Sequence, residues 1–312
     1  MKYFKFLPLF IITGLLVSAG ALPEYYLSLI TTALIWGILA MSLNLLQGYA
    51  GLISLGQAAF FGTGAYAVVI LSVKAGFSGL GVFLAAILIA GFLAACVAPF
   101  LLRARGIYFM LITIAVDQLL YGLAVKWRTV TGGDDGLPGL IRPEIPFFGN
   151  VLNNPVSFYY FLLIWFVLVA LLLMIVLRSH TGRVLVGIRE NELRMKVLGY
   201  NVWLYKYFTY VASGLLCGLA GALQAYYTKF VSPSDLGTIT SAKMLLMVII
   251  GGAGTFWGPI LGAFLVVFLE NLISAITERW VMCMGIIYIL VVLVTPKGLM
   301  GAGVKRLFKR YP

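Results

Sequence analysis

Residues 157–177 read SFYYFLLIWFVLVALLLMIVL, a stretch of 21 residues without a charged side chain. An α-helix needs about 20 apolar residues to cross the hydrocarbon core of a bilayer. The stretch is therefore predicted to form a transmembrane helix.

The composition of the whole chain also indicates a membrane protein. Of its 312 residues, 62% are hydrophobic and only 10% are charged, whereas a soluble domain contains about 45–50% apolar and about 25% charged residues. So few charges could not cover so much apolar surface in water, which excludes a soluble enzyme.

Similar apolar runs recur along the chain. They predict an all-α, polytopic membrane protein with about ten segments, some of them broken or re-entrant. We expect residues 1–312 to form one transmembrane domain with an outer loop at 126–156 and a cytoplasmic loop at 178–202. The runs lie at 6–22, 26–46, 52–73, 79–102, 106–125, 157–177, 203–228, 243–256, 259–277 and 280–295.

The positive charges predict the orientation. If ten segments alternate from a cytoplasmic N-terminus, fifteen Lys and Arg fall on the inner side and seven on the outer side, as the positive-inside rule requires. Both termini are then cytoplasmic. The first run, between Lys5 and Ala19-Gly20-Ala21, could instead be a cleaved signal peptide. We prefer a membrane helix because it makes the number of segments even.

Two clusters of glycine interrupt the apolar runs, at Gly48–Gly64 and Gly251–Gly262. Such interruptions point to broken helices near the bilayer midplane, where unpaired N–H groups at the half-helix starts suit a carboxylate. Asp117 either faces the pathway and meets an ammonium group, or packs between helices with a hydrogen bond to Thr113 or to a neighbouring subunit. The candidate pathway residues are Gly51, Ser54, Gly56, Gln57, Asp117, Gly254 and Gly258.

The loop at 178–202 carries apolar residues at helical spacing among its charges. This predicts one or two short amphipathic helices. Such a helix either lies on the membrane surface or docks into a cytoplasmic partner. The apolar residues are Val184, Leu185, Ile188, Met195 and Leu198.

This loop resembles the coupling loop of branched-chain amino acid ABC transporter permeases. The resemblance rests on Gly182-Arg183-x-x-x-Gly187-Ile-Arg189-Glu190-Asn-Glu192, followed by Leu-Gly199-x-Asn. It extends over most of residues 25–300 through further motifs. These are Gly48-Tyr-x-Gly51-x-Ile-Ser54-Leu-Gly56-Gln57-Ala-x-Phe, Gly64-Ala-Tyr66, Thr131-Gly-Gly133-x-x-Gly136, Ser241 and Gly251-Gly-x-Gly254-x-x-x-Gly258-Pro259.

The resemblance implies the permease subunit with the longer outer loop, in a bacterial-type inner membrane. Such a subunit forms half of a pathway with a homologous second permease. Two cytoplasmic ATPase subunits supply ATP hydrolysis, and a periplasmic or lipid-anchored binding protein delivers Leu, Ile or Val. Related permeases carry urea or short amides. The implied coupling residues are Gly182, Arg183, Gly187, Arg189, Glu190, Glu192 and Gly199.

One departure from the family concerns residues 189–196, which read Arg-Glu-Asn-Glu-Leu-Arg-Met-Lys. Family members often have a small residue a few positions after the Glu. This departure bears on which ATPase the loop binds.

Other sites and functions find less support in the sequence. No Gly-x-x-x-x-Gly-Lys-Ser/Thr phosphate loop occurs, so we expect no ATP or other cofactor on this chain. His180 alone cannot build a metal site, and no enzyme-like set of nucleophile and base is visible. The three cysteines lie in apolar runs, as packing residues do.

An ion-coupled carrier or a channel is the alternative class of transporter. Such carriers place ionisable residues in their spans, whereas this chain has only Asp117 and Glu270, without a basic partner in mid-span.

In the outer loop, Asp134 and Asp135 lack calcium-loop spacing. That loop either receives the binding protein or simply connects two spans.

Overall fold

The computed structural model describes residues 23–77, 79–139, 154–294 and 298–300. In this part of the chain, seven helices are long and apolar enough to cross a membrane. The predicted all-α, multi-pass architecture is therefore confirmed. The first predicted run, 6–22, lies outside the described residues, so the count of ten stays a prediction.

The helices follow the apolar runs closely. They are α1 Glu24–Asn44, α2 Gln57–Val69, α3 Leu80–Leu101, α4 Ile107–Lys126, the short α5 Arg128–Thr131, α6 Pro155–Arg178, α7 His180–Glu190, α8 Glu192–Val197, α9 Val202–Thr228, α10 Thr238–Gly251, α11 Gly258–Ile276 and α12 Trp280–Val294. Two of them end in π-helical turns: α1 continues through Leu45–Ala50 and α2 through Ile70–Lys74. Short 3-10 turns lie at Gly133–Asp135 and Pro233–Leu236.

The centre of the bundle is built around α9, which packs against α1, α2 and α3. Small residues allow this close approach: a Cβ added at Gly64 would lie 2.6 Å from the Cα of Gly218. Glycine pairs of this kind let membrane helices pack backbone to backbone. Of the seven long spans, α1 and α9 are the most buried and α4 is the most exposed.

A small antiparallel pairing closes one end of the bundle, the outer end in the predicted orientation. Strand β1, Leu137–Pro138, pairs with β2, Phe230–Val231. The segment after α4 is thereby joined to the end of α9. The rest of the predicted outer loop, residues 140–153, lies outside the described residues.

Two predicted runs have boundaries that are wrong by about five residues. The run at 52–73 becomes helical only at Gln57, and the run at 243–256 is displaced at both ends. The run at 243–256 is a helix at Thr238–Gly251. The apolar run leaves out the polar residues with which the helix begins. It also extends beyond Gly252, which ends the helix with a φ of 113°. Such a backbone conformation is accessible mainly to glycine.

Candidate functional site

Both predicted helix breaks are present. After the π-helical end of α1, Gly51 adopts φ 73° and the chain is non-helical until α2 begins at Gln57. After α10, residues 252–257 form a second non-helical segment, in which Gly252 and Gly254 have φ 113° and 80°. We call these segments the first break, 51–56, and the second break, 252–257.

The start of α2 is capped by side chains from other helices. Asp117 of α4 accepts a hydrogen bond from the Ala59 N–H through Oδ1, at 2.8 Å. Ser241 of α10 accepts one from the Ala58 N–H, also at 2.8 Å, and its hydroxyl donates to Asp117 Oδ2 at 2.7 Å. A carboxylate at a helix start is favourable because it satisfies free N–H groups and meets the positive end of the helix dipole.

This cap corrects two expectations. The N–H groups of Ala58 and Ala59 are bonded to these side chains, so these two donors are not available to a solute carboxylate. Asp117 is fully buried, but it does not bond to Thr113. The Thr113 hydroxyl donates to the Met110 carbonyl at 2.7 Å and accepts from the Leu55 N–H at 3.1 Å. Whether Asp117 takes part in transport stays a prediction.

The first break also borders a buried polar cluster. Gln57 Oε1 accepts hydrogen bonds from Ser213 Oγ and Cys217 Sγ of α9, both at 3.0 Å. Ser42 Oγ of α1 lies 3.0 Å from Ser213 Oγ and 2.9 Å from Cys217 Sγ. The Gln57 amide nitrogen donates to Ser54 at 3.4 Å. All five side chains are buried, so α1, α2 and α9 are joined at the first break.

The second break is held mainly by one amide side chain. Asn44 of α1 accepts from the Gly254 N–H at 2.8 Å and donates to the Thr255 carbonyl at 2.9 Å. Within the break, the Thr255 hydroxyl donates to the Gly252 carbonyl at 2.7 Å. Sequence reasoning noted Asn44 only as a polar residue in an apolar run and gave it no role.

The loop at 178–202 forms two helices with the predicted amphipathic character. Val184 and Ile188 of α7 pack with Met195 of α8 and Val202 of α9 in a cluster separate from the main core, and Leu185 joins the main core. Leu198 joins neither cluster: it follows the last residue of α8, Val197, and its side chain is 64% exposed.

Arg189 of α7 turns back toward the bundle. Its guanidinium donates to the Gly48 carbonyl in the π-helical end of α1. Arg189 also borders both breaks. A Cβ added at Gly51 would lie 2.8 Å from Arg189 Cγ, and one added at Gly254 would lie 2.7 Å from Arg189 Nη1.

Glu192 joins α8 to α9. Its carboxylate accepts from Lys206 at 2.7 Å and forms an ion pair with Lys196 at 3.0 Å. Burial acts to raise the pKa of this carboxyl, but the hydrogen bonds and charges of the two lysines outweigh it, so its pKa is lowered. Of the predicted coupling residues, Glu192 is thus an internal link, whereas Arg183, Arg189 and Glu190 are exposed.

The two breaks reach different depths of the bundle. The start of α2 lies beside Asp117, near the middle of α4, and beside Ser213 and Cys217, near the middle of α9. The second break lies beside α7, which directly follows the end of α6. The second break thus lies at the end of the bundle nearest α7, and the position of both breaks relative to the bilayer midplane stays a prediction.

Glu270 has a basic partner, contrary to the sequence-based expectation. Lys243 of α10 forms an ion pair with Glu270 of α11, and its ammonium group lies 4.3 Å from the centre of the Trp36 ring. The apolar run at 243–256 begins at Lys243, whereas α10 begins five residues earlier at Thr238, so Lys243 lies within the helix. The pair joins the two helices that flank the second break.

Within the part of the chain that the structure describes, no group of three or more His, Cys, Asp and Glu side chains could hold a metal ion. His180 is exposed, with its Nε2 3.5 Å from the Tyr200 hydroxyl.

Comparison with known proteins identifies the family. Residues 25–295 match the sequence model of a family described as branched-chain amino acid transport system / permease component. The high-affinity branched-chain amino acid transport system permease protein LivM of Escherichia coli (strain K12) is 29% identical over 319 residues, which covers 93% of this chain and 74% of the relative. LivM of Salmonella typhimurium (strain LT2) is 29% identical, with coverage of 92% and 73%.

More distant relatives belong to another import system. The autoinducer 2 import system permease protein LsrC of Salmonella typhi is 27% identical, which covers 84% of this chain and 76% of the relative. No solved structure matches the chain significantly. Since the family model spans most of the chain and the fold is that of a multi-pass membrane protein, this chain belongs to the permease components of branched-chain amino acid transport systems.

Proposed function

We propose that this chain forms half of the translocation pathway of a binding-protein-dependent ABC importer for Leu, Ile or Val. The family and the names of the two LivM relatives support the solute class. In this proposal a homologous second permease supplies the other half of the pathway. Two cytoplasmic ATPase subunits supply the energy, and a binding protein delivers the solute.

The surface of α7 and α8 is the observation that supports an ATPase partner. On the side facing away from the bundle, Leu193 and Val197 are 70% and 87% exposed, next to the exposed Leu198. Exposed apolar patches with charged residues around them are typical of protein–protein contacts. Arg183 and Glu190 lie on the same two-helix unit, which makes it a suitable docking surface for a soluble subunit.

The exposed face of α4 supports contact with a second permease. Gln118 is exposed on this apolar span and donates to Thr238 at the start of α10. An exposed amide in a membrane span favours a protein or water-lined neighbour over lipid. Ser54, Gln57 and Asp117 are buried in this conformation, so their proposed contribution is to shape the pathway wall.

We infer the orientation from the same surfaces. The charged loop with α7 and α8 faces the cytoplasm, and β1 and β2 lie at the outer end. Both termini are cytoplasmic in this arrangement, in a bacterial-type inner membrane. The single-domain organisation of residues 1–312 belongs to the same proposal.

Reconstitution tests the proposal. The chain is co-purified with its second permease and ATPase subunits, placed in proteoliposomes and supplied with the loaded binding protein. We expect leucine uptake that requires ATP. Glu190→Arg should reduce uptake at least about tenfold, because it reverses a charge on the docking surface, while Glu278→Arg, at an exposed site near the start of α12, should not.

Two results would count against an ATP-driven importer. The first is uphill uptake driven by a proton or sodium gradient without ATPase subunits. The second is wild-type uptake by the Glu190→Arg variant.

A further inference from the structure

The position of Arg189 is not explained by the proposed docking of an ATPase subunit on α7. It belongs to a helix with a charged outer face, yet its guanidinium lies against the chain breaks. We propose that Arg189 is a positioning residue that ties α7 to both breaks. A displacement of α7 then moves the end of α1 and the second break together. The inference rests on the proposed docking of an ATPase on α7.

The contact with α1 is made at a helix end. The Gly48 carbonyl, which accepts from Arg189, lies in the last turn of the π-helical segment Leu45–Ala50. Carbonyl groups at a helix C-terminus carry partial negative charge, which favours a cation there. The guanidinium keeps its charge and offers several donors in a fixed plane, so it can hold this carbonyl while lying against a second segment.

The guanidinium of Arg189 also lies against the second break. Gly254 leaves room for Arg189 Nη1, since a Cβ at Gly254 would lie only 2.7 Å from it. The Gly254 N–H is itself bonded to Asn44 of α1. The side chains of Asn44 and Arg189 therefore meet the same short segment from α1 and from α7.

The beginning of the first break also contacts Arg189. Gly51 borders the Arg189 side chain, with 2.8 Å between a Cβ added at Gly51 and Arg189 Cγ. Gly51 also has φ 73°, so a larger residue would be strained as well as crowded. One arginine thus touches the point where α1 ends and the point between α10 and α11.

The test compares Arg189→Ala with Arg178→Ala in the reconstituted complex. Arg178 is an exposed arginine at the end of α6, so its removal controls for loss of a positive charge near α7. We expect Arg189→Ala to retain ATP hydrolysis stimulated by the loaded binding protein but to consume at least about tenfold more ATP per leucine transported. Arg189→Lys should give a smaller increase, because an ammonium group can hold the carbonyl without filling the same space.

Hydrogen–deuterium exchange supplies a readout independent of transport. In the wild-type complex, adding ATP should change the exchange of peptides covering 48–56 and 252–257 together. In the Arg189→Ala complex, only the peptides of α7 and α8 should respond. This result would separate loss of the link from a general loss of folding, which would raise exchange throughout the bundle.

Three outcomes overturn the inference. They are an unchanged ATP cost per leucine in Arg189→Ala, an equal change in Arg178→Ala, and an unaltered exchange response at both breaks. Failure of the proposed function looks different: the wild-type complex itself then shows no ATP-dependent uptake, or α7 gains no protection when the ATPase subunits bind.

Discussion

The first and second breaks use glycine in the same way but are held by different means. The first break leads into a helix start that is fixed by Asp117 and Ser241, with Thr113 and Gln57 bonded nearby. These groups come from several helices and are buried. The second break is held mainly by the Asn44 side chain of α1. Both breaks include exposed residues and both border Arg189.

This difference separates a fixed element from a movable one. Moving the start of α2 would leave buried N–H groups without partners, each at a cost of about 1–3 kcal/mol. The second break can shift with the loss of fewer hydrogen bonds. We therefore interpret the start of α2 as part of a rigid wall, and the end of α1 together with the second break as a joint next to the proposed docking surface.

The largest expected effect comes from filling the first break. Gly56→Leu would place a Cβ 2.6 Å from the Thr113 carbonyl oxygen. Because this neighbour is backbone and cannot rotate away, we expect a cost above the range of about 1–3 kcal/mol that is typical of overpacking. We expect little folded protein, measured as the monodisperse fraction after purification in detergent. Gly81→Leu is the matched control, because a Cβ at Gly81 meets nothing within 4 Å. A monodisperse Gly56→Leu protein with wild-type uptake would contradict a rigid start of α2.

Removing the cap of α2 should have the next largest effect. Asp117→Ala leaves the Ala59 N–H and the Ser241 hydroxyl without their acceptor, which we expect to cost about 2–4 kcal/mol. Asp117→Asn retains one oxygen and should cost about half as much. Thermal unfolding in detergent measures both, with Asp134→Ala as an exposed control. Equal melting temperatures for Asp117→Ala and Asp134→Ala would show that the cap contributes nothing.

A smaller effect is expected at the second break. Asn44→Ala loses two hydrogen bonds to Gly254 and Thr255, worth about 0.5–1.5 kcal/mol each. Exchange of the 252–257 peptide should rise while that of the 51–56 peptide stays nearly unchanged. Asn44→Asp, which keeps the acceptor for Gly254 and loses the donor, should lie between. A parallel rise in both peptides would show that Asn44 supports the first break as much as the second.

The smallest effect concerns pH and the α7–α8 side of the molecule. Because the pKa of Glu192 is lowered in the folded state, its ion pairs stabilise the fold at neutral pH, and this contribution is lost as pH falls through the lowered folded pKa. Its partial exposure makes the effect modest. Exchange of the α8 peptide, corrected for the intrinsic exchange rate at each pH, should therefore rise in acid, and Glu192→Gln should remove most of that dependence. No difference between the two proteins would refute the assignment.

The long spans could be predicted from sequence because about 20 apolar residues decide such a helix locally. The runs at 79–102 and 106–125 differ from α3 and α4 by only one residue at each end. Shorter helices such as α10 begin with polar residues, whose place is decided by contacts across the bundle. Hydropathy could not identify Ser241 or Lys243 as helical.

The partners of the site residues were less accessible to sequence reasoning. The glycine clusters predict that the helices break, because glycine disfavours a continuous helix. They do not show what holds the breaks. Asp117 and Ala59 are separated by 58 residues, and Arg189 and Gly48 by 141, so only the folded chain brings each pair together. The coupling loop was recognisable as amphipathic, but the inward direction of Arg189 was not.

The ion pair between Lys243 and Glu270 has a consequence for how membrane voltage acts on this chain. A single charge moved across a bilayer gains or loses about 2.3 kcal/mol per 100 mV. Since the ammonium and the carboxylate form one neutral unit between α10 and α11, their joint displacement carries almost no gating charge. Membrane voltage should thus have little effect on a displacement of this pair together with α10 and α11.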